Sequence, residues 1–144
     1  MAPGPTDWRL RSDPRVFAIE GFNARRLRAE DLPPDARVFD LVTIDVSFIS
    51  LKHILPVVPP LLSQGGAAIA LVKPQFEAGR AEVGKGGIVK DEHVHARVVE
   101  EVTAAAVAVG LDRAGVEPSP IEGTEGNREF LLLFRLPRHP GVPG

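Results

Sequence analysis

The 144-residue sequence predicts an α/β fold: one mostly parallel sheet with helical connections and an antiparallel C-terminal strand. Two observations carry this. Short runs of aliphatic and β-branched residues, bounded by polar or glycine residues, alternate with longer stretches of helical spacing. The last two extended runs are joined by a connection too short for a crossover, which makes them a hairpin.

The elements follow in order. RVFAIE (15–20), DLVTID (40–45) and AAIALVK (67–73) read as three strands, each apolar enough to be buried on both faces. Between the second and third, SLKHILPVVPPLL (50–62) has helical spacing, with Ser47 or Ser50 as N-cap. Pro56, Pro59 and Pro60 shorten or kink it, and Gly65–Gly66 is expected to close it. A Gly-rich loop occupies 79–87. The longest helical pattern runs over 91–109, with Asp91 as N-cap and Gly110 as the stop. Extended segments at 113–118 and 128–136 close the domain around the turn at 121–127. Residues 1–13 are expected to fray, 14–137 to form the folded domain, and 138–144 to be a disordered tail.

Bulk properties narrow the class. Hydrophobic residues make up 44% and charged residues 25%, which is ordinary for a globular domain with one core. No apolar run is long enough for a membrane span and no signal-peptide pattern opens the chain, so a cytoplasmic protein is expected. With no cysteine, thiol catalysis, disulfides and Cys-ligated zinc are excluded. The net charge of −2 gives no general attraction for polyanions. Yet six of the 17 basic residues, Arg9, Arg11, Arg15, Arg25, Arg26 and Arg28, lie near the N-terminus, where they either meet phosphate or form a solvated face.

Ligands of open parallel sheets bind beyond the carboxyl ends of the strands. Asp45 closes DLVTID, and Lys73 closes AAIALVK. Glu129 opens the last strand, and if that strand is antiparallel its start lies on the same edge. Element order alone thus brings two carboxylates and one amine to one rim. Each taken singly is often just a turn residue or a surface ion. Their settings are more specific: DVSFIS after β-rich sequence, KPQFE where a proline ends a buried strand, and GNREF before an apolar run.

These phrases, with WRLRSDPRV (8–16), EGFNAR (20–25), DLVTIDVSFISL (40–51), LVKPQFEAGR (71–80), VGKGGIVKD (83–91) and SPIEGTEGNREFLLLF (119–134), resemble the haemolysin-A-like (TlyA-type) branch of the FtsJ-like RNA methyltransferases. The resemblance implies a Rossmann-like methyltransferase sheet. It implies transfer of a methyl group from S-adenosylmethionine to the ribose 2′-oxygen of cytidine in ribosomal RNA, with ribosomal RNA or ribosomal subunits as partners. In that family the catalytic group is Lys-Asp-Lys-Glu, and Asp45, Lys73 and Glu129 match its last three members. Glu20, Asn23 and Asp45 match the cofactor side, and no metal is required.

The chemistry suits those residue types. A ribose hydroxyl becomes nucleophilic as its proton leaves. A lysine amine can take that proton, or its ammonium can hold the developing oxyanion. Neighbouring carboxylates favour the ammonium and burial favours the amine, so both roles stay open for Lys73. The family's first strands, Gly-rich cofactor loop, first catalytic lysine and S4-type domain have no counterpart in these residues. The expectation is a domain lacking its first strands, with RVFAIE either re-pairing with DLVTID or leaving an open edge. Such a chain would bind S-adenosylmethionine weakly and be inactive alone. The alternative is a non-catalytic remnant that serves as an interaction or RNA-contacting module.

Other motifs carry less. VGKGG (83–87) lacks the GK[ST] ending of a phosphate loop and reads as a flexible loop beside the site. His93 and His95 point in different directions on a helix, which argues against a metal pair. Trp8 and Phe22 read as packing residues.

Overall fold

The computed structural model describes residues 7–123 and 126–138. Its frame is a four-stranded sheet in the order β1-β2-β4-β3: β1 (Phe39–Ile44), β2 (Leu62–Val72), β3 (Asp112–Pro118) and β4 (Phe130–Arg135). β1 and β2 are parallel, with Val42 opposite Ala68 and Ile44 opposite Ala70. β4 is antiparallel to both β2 and β3, so it alone runs against the other three strands. The sheet is therefore mixed, as the hairpin required, and it is mostly parallel only in strand direction.

Three helices accompany it: α1 (Trp8–Arg11), α2 (Pro74–Glu77) and α3 (Glu92–Ala108). Asp91 caps α3 by accepting the His93 amide at 2.8 Å. Gly110, at φ +96°, reverses the chain as the sequence suggested; the left-handed turn favours glycine. The α3 side chains Val94, Val98, Val99, Val102 and Ala106 are buried and belong to the same core as Ala68, Ala70 and Val72 of β2 and Leu132 and Phe134 of β4. Alternate residues of β2 are buried while their neighbours stay half-exposed. β2 thus buries one face, β1 and β3 less than that, and none of the strands buries both faces as their composition suggested.

Three expectations fail for physical reasons. Residues 50–62 form no continuous helix but three successive 3-10 turns: Leu51–His53, Leu55–Val57 and Pro59–Leu61. Each proline removes an amide donor and clashes with the preceding turn, so an α-helix cannot propagate. Ser50 still caps the first turn, accepting the Lys52 amide at 3.1 Å. Gly65 and Gly66 lie inside β2 instead of closing a helix. Finally, RVFAIE (15–20) joins no strand and its residues are exposed. It does not re-pair with β1, whose only partner among the described residues is β2, so among these residues β1 is an open edge with Leu41 53% exposed.

Candidate active site

The carboxyl ends of β1 and β2 and the start of β4 form one rim. Asp45 follows the buried Ile44 of β1. Lys73 follows β2 and is the N-cap of α2, where Pro74 at the first helical position turns the chain away. Val72 pairs with Phe130, so one further step of the antiparallel register sets Lys73 opposite Glu129. The sequence placement of these three residues on one edge agrees with this geometry.

Their contacts are asymmetric. Lys73 Nζ lies 2.6 Å from Asp45 Oδ1 and donates to Ser47 Oγ at 3.0 Å. The lysine side chain is 13% exposed and the aspartate 69%, so the amine sits inside the rim with its counter-ion facing solvent. Glu129 is buried and forms no ion pair with Lys73. It accepts a hydrogen bond from Gln75 Nε2 at 3.0 Å. Its other flank is closed by Gly123, where a Cβ would fall 2.0 Å from Glu129 Oε2. Only glycine leaves room for that carboxylate.

α2 is tied down from its far end. Glu77 accepts from Ser50 Oγ at 2.6 Å and from the Leu51 amide at 2.8 Å. Burial pushes its carboxyl above the usual range, and these two hydrogen bonds pull the other way. KPQFE is therefore an anchored helical turn with Pro74 buried, not an exposed one. Beside it, Phe48 adopts φ +63°, a strained conformation for a bulky residue, and is 88% exposed. Its ring centroid lies 4.9 Å from that of Phe76. Strain of this kind gathers at functional sites.

The glycine loop is held at its C-terminal side. Asn127, fully buried, accepts the Val89 amide at 3.0 Å and donates to the Gly87 carbonyl at 2.9 Å. The buried His95 contacts the Val89 carbonyl at 2.7 Å through Nε2. The loop residues 84–87 themselves stay exposed. The sequence alone did not single out Gln75, Gly123 and Asn127, and it offered His95 only as half of an improbable metal pair. A polar residue directly after Lys-Pro, and two glycines flanking a charged turn, were the available signals.

Of the candidate cofactor-side residues, Asp45 belongs to this cluster, whereas Glu20 and Asn23 have other partners. Glu20 pairs with Arg11 at 3.3 Å, and Asn23 accepts the Arg25 amide at 3.1 Å. Both are exposed, and neither bonds Asp45, Lys73 or Glu129. Trp8 is 74% exposed, so the packing role expected of it is not met. Among the described residues no group of histidines and carboxylates could hold a metal ion, and no helix is long and apolar enough to cross a membrane.

The profile of the FtsJ-like methyltransferases matches residues 1–136. The chain belongs to the FtsJ-like methyltransferase family. It is 44% identical over 132 residues to the 16S/23S rRNA (cytidine-2'-O)-methyltransferase TlyA of Mycobacterium tuberculosis, covering 92% of this chain and 48% of that protein. Hemolysin A of Brachyspira hyodysenteriae is 35% identical, over 88% of this chain and 52% of that protein. A solved hemolysin candidate from Streptococcus thermophilus superposes with a TM-score of 0.85 at 43% identity, covering 94% of this chain and 49% of that one. This FtsJ-like chain thus spans about half the length of the curated relatives it matches.

Proposed function

We propose that this chain carries the acceptor-activating side of an S-adenosylmethionine-dependent methyltransferase acting on the ribose 2′-oxygen of cytidine in ribosomal RNA. The observation that carries the reading is the Lys73–Asp45 pair at 2.6 Å on a rim shared with the buried Glu129. The relative from M. tuberculosis, named for cytidine 2′-O-methylation of rRNA, supports the substrate class.

Each residue has a distinct task. Lys73 takes the proton of the ribose hydroxyl or holds the oxyanion that forms as it leaves. Asp45 fixes the amine in place through a charge-assisted hydrogen bond and, being exposed, offers an acceptor to the cofactor. Glu129 sets the inner wall of the rim through Gln75. Phe48 presents an exposed ring on which an unpaired base can stack. S-adenosylmethionine, when bound, would supply an electrophilic methyl group, its sulfonium sulfur keeping the electron pair of the broken bond so that the neutral thioether S-adenosylhomocysteine departs without needing a proton. No metal enters this scheme. Ribosomal RNA or ribosomal subunits are the proposed partners, in the cytoplasm.

The residues described fit that cofactor only in part. Asp45 is available, whereas Glu20 and Asn23 are engaged by Arg11 and Arg25 on a segment outside the sheet. The 144-residue chain alone is therefore proposed to bind S-adenosylmethionine weakly or not at all, and to be inactive as a separate molecule. Calorimetric titration tests this, and micromolar affinity would contradict it. In the intact protein, Lys73→Ala abolishes methyl transfer to rRNA while cofactor affinity stays within a few-fold. Retained transfer removes Lys73 from the mechanism. An intact protein without any transferase activity would leave the non-catalytic, RNA-contacting module as the better reading.

A further inference from the structure

Register sets Lys73 opposite Glu129, yet the two side chains do not pair. Glu129 is engaged by Gln75 instead. Its amide nitrogen donates to Glu129 Oε2 at 3.0 Å, while its own carbonyl Oε1 is buried without a hydrogen-bond partner. A buried carbonyl left unpaired is costly. The opposite amide orientation would set Oε1 against an ionised carboxylate, which can only accept. The orientation seen is therefore chosen by Glu129, at the expense of Oε1.

We propose that Gln75 is a positioning residue that gives Glu129 a neutral donor and so keeps it off Lys73, leaving the amine with Asp45 as its one direct carboxylate partner. This rests on the assignment of Lys73 as the acceptor-activating group. Two carboxylates share the rim with Lys73, and a third, Glu77, lies on the short helix that Lys73 caps. Asp45, after β1, pairs with it directly. Glu77, on α2, is turned away to Ser50 and the Leu51 amide. Glu129, before β4, is held by Gln75. Gln75 thereby spares Lys73 a second direct carboxylate contact at the rim. Gly123 completes the arrangement, because a side chain there would drive Glu129 out of its seat.

The first test reads where Glu129 goes and does not depend on methyl transfer. In a crystal structure of Gln75→Met, which keeps the side-chain length and removes the donor, the Glu129 carboxylate is expected to turn to within ion-pair distance of Lys73 Nζ. A carboxylate that keeps its native seat overturns the proposal. In the intact protein the same variant is expected to lower kcat for methyl transfer with KM for rRNA unchanged, and an unchanged kcat likewise overturns it. If Gln75→Met does not fold, Gln75→Asn, whose shorter amide falls short of Glu129, carries both comparisons. A Lys73→Ala enzyme that still transfers methyl groups would defeat the assignment of Lys73 without changing where Glu129 sits in the crystal structures.

Discussion

Residues 15–20 and 40–45 are nearly interchangeable as sequence, RVFAIE against DLVTID, but they end in opposite states. The second is β1, paired in register with β2 and leading into the core at Ile44. The first lies in exposed coil with Phe17 64% accessible. The same division runs through the whole molecule. Among the described residues every buried hydrophobic side chain lies at Ile44 or later, while Trp8, Leu10, Val16, Phe17, Ile19 and Phe22 are all exposed. A strand is not a property of its own residues. Its backbone groups need a neighbouring strand and its side chains need a face to cover.

The strongest way to break this comparison is to remove a side chain from each region. Phe134→Ala empties a fully buried site between β4 and α3, and should cost about 3–5 kcal/mol in urea unfolding. Phe17→Ala should cost less than about 0.5 kcal/mol. Equal costs would show that the N-terminal region packs in solution. Hydrogen exchange sharpens the same contrast. Backbone amides of β2 and β4 should require global unfolding to exchange, whereas those of residues 14–23 should exchange almost without protection.

Much of the frame was legible because its signals are local. Asp91 and Gly110 mark the ends of α3 by side-chain capping and left-handed backbone, both encoded at single positions. The hairpin followed from a short connection, and with it the placement of Asp45, Lys73 and Glu129 on one edge. What the sequence hid depends on contacts between distant residues. Nothing near position 15 reveals that RVFAIE lacks a partner. Pro56, Pro59 and Pro60 were visible, but whether they kink a helix or break it into 3-10 turns depends on how Leu51, Leu55 and Leu61 are buried. The link from Gln75 to Glu129 spans 54 residues and appears only when α2 meets the start of β4.

Smaller effects lie within the site. Gly123→Ala must displace the Glu129 carboxylate, and should cost about 1–3 kcal/mol in unfolding experiments. The cost should fall when Glu129→Ala is also present, because the colliding side chain is gone. An additive result would mean that Gly123 is required for another reason. The smallest effect concerns pH. Burial raises the folded-state pKa of Glu77 above its ordinary value of 4.5. In the window between the two values the folded chain holds more protons than the unfolded one, so stability falls as pH rises through it. Glu77→Gln should flatten that part of the profile in thermal melts collected from pH 4 upward. A slope that survives the substitution assigns the effect to another group.

The proposed activation of a ribose hydroxyl of rRNA by Asp45, Lys73 and Glu129 is tested most directly by the 2′-O-methylcytidine content of rRNA, measured by mass spectrometry in cells lacking the gene and complemented with the intact protein. The native protein should restore the mark, and Lys73→Ala, made to the same level, should not. Restoration by Lys73→Ala would contradict the account, as would a mark that is present without the protein.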